Sequence, residues 1–196
     1  CPFVIGGGGQ FWGEIDEVAF WGSALSQSDI EALYNSGNGL AYPFGYPRPV
    51  CDSTLTEGLV SYWKLDEETG VRYDSWGSNH LSDNNTVGYT STGAIGNAAR
   101  FNEANSEYLN HADNADLSRS DDDLTICAWI VAGDGYRHIV SKKGENCYTA
   151  GYEYMLSHTN GNMRLTLGAG ASHENLYLPK ITGEWSFVCT WYDGNM

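Results

Sequence analysis

The stretch YEYMLSHTNGNMRLTLGAG, beginning at Tyr152, holds two alternating runs of apolar and polar residues separated by Asn160 and Gly161. Alternation with a period of two marks a strand with one buried face, and Asn-Gly is the pair that a type I′ turn demands. A β-hairpin is expected here. The rest of the chain follows the same pattern. Short apolar runs rich in Trp and Tyr are broken by Gly, Asn, Asp and Ser, and 24 of the 196 residues are Gly. That composition predicts an all-β domain.

Other strands follow from the same reasoning. FWGEIDEVAFWG (Phe11 to Gly22) is rich in β-branched and aromatic residues. Strict alternation places Glu14, Asp16, Val18 and Phe20 on one face, and Ile15, Glu17, Ala19 and Trp21 on the other. GLVSYWKLDE, AARFN, SEYLNH, LTICAWIVA, RHIVSKKG, ENLYLPKI and EWSFVCTWYDG also read as strands, while residues 68–96 are polar and loop-rich. The period changes once, in SALSQSDIEALYNSG. Ser26 is placed to cap a helix, with Asp29 three residues on. Ile30, Leu33 and Tyr34 form its apolar stripe, and Gly37 is the stop signal. One short helix is expected over about 26–35. Four of the five prolines fall between Asn38 and Gly58, which reads as a linker with Tyr42 and Phe44 anchoring its first part.

With 25 Asp and Glu against ten Lys and Arg, the formal net charge is −15. Phosphate backbones and anionic membranes are disfavoured as partners; neutral ligands and cations are compatible. Five cysteines without a C-x-x-C pair argue against a zinc site. Cys127 and Cys189 lie in strand-like runs and read as small buried residues, with a bridge between them left open. No signal peptide or membrane-spanning stretch is read.

In order, GLVSYWKLDEETG, YDSWGSN, GAIGNAARFN, SEYLNHADNADL, DDDLTICAWI, HIVSKKG and EWSFVCTWYDG resemble the first three quarters of a laminin-G-like module. The opening PFVIGG…FWGEIDEVAFWGSALSQSDIEALYNSGNGLAYPF resembles the last quarter of the same module. The resemblance implies a concanavalin A-like β-sandwich jelly roll of two antiparallel sheets. It further implies that residues 1–44 end one repeat, 45–57 link, and 58–196 begin the next. The chain thus reads as cut from a tandem array, with the two pieces docked as one permuted sandwich. The function it implies is a non-catalytic, carbohydrate- or protein-binding adhesion module of a repeated extracellular, cell-surface or virion-fibre protein. Its partner would be a glycan or a surface protein, with no nucleic acid, no membrane insertion and no oligomeric state indicated. The alternatives are a glycoside hydrolase or its accessory module, and a structural spacer.

Some hydrolases with this jelly roll use a strand motif Glu-x-Asp-x-(x)-Glu. Glu14-Ile15-Asp16 matches it only in part, because Glu17 falls on the opposite face under strict alternation, and retaining chemistry needs two carboxyls facing one sugar. No catalytic residue is therefore assigned. Modules of this superfamily often carry a structural calcium, for which Asp16, Asp66 (or Glu67) and Asp74 are candidate ligands by position. The acidic Asn110–Asp123 loop does not match the EF-hand pattern. Sugars stack on exposed aromatic rings, and Trp76, Tyr89, Tyr136, Tyr148 and Tyr177 are candidates because they lie in or near loops. Trp12, Trp63, Trp129, Trp185 and Trp191 fall in strands and are expected in the core. Asn84-Asn85-Thr86 matches the glycosylation sequon.

Overall fold

A computed structural model describes residues 1–7, 11–44, 54–119, 123–133, 135–143, 152–159, 162–168, 176–178 and 183–193. They form a β-sandwich of two antiparallel sheets with one short helix. The strands are β1 (Phe3–Ile5), β2 (Gly13–Trp21), β3 (Leu59–Trp63), β4 (Ser82–Asn84), β5 (Gly88–Thr90), β6 (Ala98–Phe101), β7 (Tyr108–His111), β8 (Leu124–Ala132), β9 (Tyr136–Lys143), β10 (Tyr152–Thr159), β11 (Asn162–Leu167), β12 (Leu176–Leu178) and β13 (Ser186–Tyr192). One sheet runs β12-β11-β10-β9-β1-β7-β4. The other runs β13-β8-β2-β6-β5, with β3 following β6 along the same side of β2.

The expected hairpin is β10 and β11, paired from Tyr154↔Leu167 to Thr159↔Asn162. Its Asn160-Gly161 turn lies outside the described residues. Three strands lacked a sequence signal. β1 has three residues, and β4 and β5 fall in the stretch read as loop. In so short a strand, alternation has no room to show.

Between the sheets lies the main core. It includes Phe3, Ile15, Val18, Phe20, Trp63, Ile126, Ile130, Tyr154 and Leu156, with Phe3 stacked on Trp63 at 5.1 Å. A second cluster covers the outer face of the β2 sheet at one end: Ala19, Trp21, Tyr62, Cys127 and Cys189 lie under Leu25, Leu33 and Leu55. Burial on both faces explains why LTICAWIVA is apolar nearly throughout. Cys127 and Cys189, directly opposed on β8 and β13, form a disulfide.

The helix α1 (Gln27–Tyr34) begins where its cap was read: the Ser26 hydroxyl accepts from the Asp29 N–H at 3.3 Å. It ends earlier than Gly37, because Asn35 takes the left-handed conformation that closes the last turn. Tyr42 and Phe44 pack on Tyr62 at 5.7 and 5.4 Å, holding the chain after the helix against the sheet. Residues 45–53 of the expected linker lie outside the described residues.

Candidate functional site

The helix and the segment after it cover only part of the β2 sheet's outer face. The uncovered part carries a row of residues in register across four strands: Gly88 on β5, Arg100 on β6, Glu14 on β2 and Val131 on β8. Above this row stands Trp12. Phe11 is buried against Phe101, so the next residue points outward, and Trp12 is 54% exposed. Its position is fixed from below. The Gly133 N–H donates to the Trp12 carbonyl at 3.0 Å, and a Cβ on Gly133 would stand 2.2 Å from Trp12 Cε3. The indole rests on bare backbone that only glycine provides. Gly13 is constrained likewise: its φ is +143°, and a Cβ there would meet the Val131 carbonyl at 2.0 Å.

The result is a groove of about 390 Å³ lined by Trp12, Glu14, Arg100, Val131 and Gly133, with a second hollow of about 190 Å³ sharing Trp12, Arg100 and Phe101. The larger falls in the size range of small-ligand sites. Glu14 and Arg100 are cross-strand neighbours, yet make no ion pair or hydrogen bond among the described residues. Both are available to a ligand.

Further along β2 the chain departs from strict alternation. Asp16 pairs with Trp129 but Ala19 pairs with Cys127, so three steps on β2 match two on β8. Glu17, with φ +50°, is the extra residue of a β-bulge. The bulge resets the phase, so that Ile15, Val18 and Phe20 all reach the inter-sheet core. It keeps Glu17 with Ala19 and Trp21 as strict alternation placed it, but brings all three to the side of Glu14 and sends Ile15 inward with Val18 and Phe20. The Glu17 side chain lies on the outer side, against Ala19, Trp21, Leu33 and Tyr62, beside a cavity of about 10 Å³.

Asp16 is fully buried and Glu17 is 5% exposed. Asp16 Oδ2 accepts the Ile95 N–H at 2.9 Å, and Glu17 Oε2 accepts the Tyr62 hydroxyl. Asp16 Oδ1 and Glu17 Oε1 have no hydrogen-bond partner among the described residues. Burial, reinforced by the charges of Glu17 and Asp66, pushes the Asp16 carboxyl from 3.8 up to about 8, against the pull of the Ile95 N–H. Burial lifts Glu17 from 4.5 to about 7, with Tyr62 opposing and Asp66 adding to the rise. Asp66 accepts the Asn97 N–H at 2.8 Å, so two acids hold the 93–97 turn, Asp16 at Ile95 and Asp66 at Asn97.

No family model, characterised protein or solved structure matches this chain.

The three acids singled out for calcium differ in role. Asp16 and Asp66 belong to one cluster. Asp74 instead accepts the N–H groups of Tyr62, Trp76, Gly77 and Asn79, which occupies both its oxygens and caps the 74–79 loop. In the Asn110–Asp123 loop, Asp113 is paired with Lys142, whose hydrogen bond holds it down at about 2. Among the described residues no three His, Cys, Asp or Glu side chains form a ready-made metal-ligand set.

The loop aromatics are exposed but not gathered. Trp76 leans edge-on against Tyr42 at 5.9 Å, Tyr89 is on β5, and Tyr136 opens β9 in the opposite sheet. Tyr148 and the side chain of Tyr177 lie outside the described residues. Of the five strand tryptophans, Trp63 and Trp129 are core, whereas Trp12 and Trp191 are half exposed and Trp185 is only partly buried. Trp12 was the residue missed. Its signal was present: alternation from Phe11 puts Trp12 on the face of Glu14 and Asp16, away from Phe11 and Ile15.

Proposed function

We propose that this chain is a non-catalytic recognition module that binds a glycan or a protein surface, within a repeated extracellular protein. The observation that carries the reading is the open groove under Trp12, with Glu14 and Arg100 unengaged on its floor. The laminin-G-like resemblance, with residues 1–44 and 58–196 as parts of successive repeats, belongs to the same proposal. The Cys127–Cys189 disulfide supports an oxidising compartment. The net charge of −15 speaks against nucleic acid, and among the described residues no helix is long and apolar enough to cross a membrane.

The bulge puts Glu14, Asp16 and Glu17 on one side of the sheet, but only Glu14 reaches the groove. Glycoside hydrolysis needs two carboxyls that meet the sugar, so sealed Asp16 and Glu17 favour binding over cleavage. Incubation with a panel of soluble polysaccharides tests this. Retention of the chain without release of new reducing ends is the expected result; reducing ends that accumulate with time would contradict it.

A second reading concerns calcium. Asp16 Oδ1 and Glu17 Oε1, buried and unpartnered beside Asp66, have the chemistry of a hard-cation site. Of the candidate ligands, Asp16 and Asp66 share the cluster and would contribute carboxylate oxygens to the ion, which would supply the positive charge the cluster lacks. Saturating calcium should then raise the melting temperature by several degrees over chelator, from a stabilisation of roughly 2–4 kcal/mol. Identical melting curves would remove the metal from the account.

A further inference from the structure

We infer that the occupant of the Trp12 groove is an uncharged glycan, lying across the strands with one ring stacked on the indole. This rests on the recognition-module reading and narrows it to one ligand chemistry and one face.

Four features point to that chemistry. The Gly88–Arg100–Glu14–Val131 row crosses four strands, about 15 Å at ~4.8 Å per strand, so the floor is long and suits a chain molecule. Trp12 presents a ring already fixed on Gly133, so little freedom is lost when a ligand stacks there. Aromatic faces with a wet edge suit the apolar face of a sugar ring. Glu14 accepts and Arg100 donates, which matches hydroxyl groups that do both.

Charge and geometry exclude the competitors. Glu14 and Arg100 cancel within the groove, while the molecule as a whole carries −15, so a polyanion is repelled and a polycation meets Arg100. The groove under Trp12 lies on β6, β2 and β8, interior strands of their sheet, and only the far end of the row reaches the edge strand β5. On those interior strands an extended peptide would find no free backbone ladder to join.

The test is affinity electrophoresis of the whole chain in gels containing uncharged β-glucan, galactomannan or arabinoxylan, with heparin as the charged comparison. Migration should be slowed by at least one uncharged polymer, and added salt should not restore it. Trp12→Ala should weaken retention roughly tenfold or more, as loss of a central aromatic anchor does. Gly133→Val should do the same by driving the indole off its seat, and Arg100→Ala should weaken retention. Trp191→Ala is the control: Trp191 is 50% exposed but does not line the groove. Thermal melts of each variant confirm folding. Retention by heparin alone, or retention that survives Trp12→Ala and Gly133→Val, would overturn the groove and its uncharged ligand while leaving a recognition module. Retention by none of the four polymers overturns the uncharged glycan. If in addition no immobilised cell-surface protein fraction retains the chain, the recognition reading falls with it.

Discussion

Asp16 and Glu17 are adjacent in sequence, and the fold removes both from water while leaving each with one unpartnered oxygen. Their carboxyls keep their protons in the folded chain to about pH 8 and about pH 7, well above the unfolded range. The folded state therefore binds more protons than the unfolded state from the ordinary carboxylate range, about pH 4, up to about pH 8, and stability falls as pH rises through that window. In chelator, the melting temperature should be higher near about pH 5 than at about pH 8, by several degrees. Asp16→Asn should remove Asp16's share of that difference, because the amide still accepts from Ile95 and has no charge to desolvate, and leave the share of the buried Glu17. A melting temperature that is flat over this range in the unsubstituted chain would contradict the buried, repelling pair. This cluster was half legible in the sequence. Asp16 and Asp66 were candidate ligands by their position in the laminin-G-like resemblance. That Glu17 joins them depends on one residue with positive φ, for which neither composition nor alternation gives a sign.

At the scale of elements, strong local signals became the elements they predicted. Ser26 capped the helix, and the two runs around Asn160-Gly161 paired as a hairpin. LTICAWIVA became a strand buried on both faces. What local pattern could not supply was the partner of each strand. β1 has three residues and owes its existence to β7 on one side and β9 on the other. The groove was missed for the same reason: Trp12, Arg100 and Gly133 come from three distant stretches, and only pairing brings them together. β13 also depends on its neighbour, lying at the sheet edge and tied to β8 by Cys127–Cys189. Replacing both cysteines with Ala should cost about 2–4 kcal/mol, since the bridge closes a loop of 62 residues in the unfolded chain. Urea unfolding checks this. An unchanged midpoint would mean the strands hold as firmly without the bridge.

At the scale of the whole molecule, residues 1–44 are structural members of both sheets. They contribute β1 inside the seven-stranded sheet, β2 at the centre of the other, and the helix that covers one end of its outer face. A chain lacking them would leave β7, β8 and β9 with open edges and the core without Phe3, Ile15, Val18 and Phe20. Such a truncation should show no cooperative melting transition, and adding residues 1–44 as a separate peptide should restore one. A cooperative transition in the truncated chain by itself would contradict this. On the outer face of the β2 sheet, one end is covered by the helix, with Leu33 beside Glu17, and the other is open under Trp12. The most direct test is to titrate the isotopically labelled chain with the retained polysaccharide's oligosaccharide and map amide shifts by NMR. Changes should be concentrated at residues 12–14, 100–101 and 131–133. Changes confined to the opposite sheet, β9 to β11, with residues 12–14 undisturbed, would contradict the Trp12 groove.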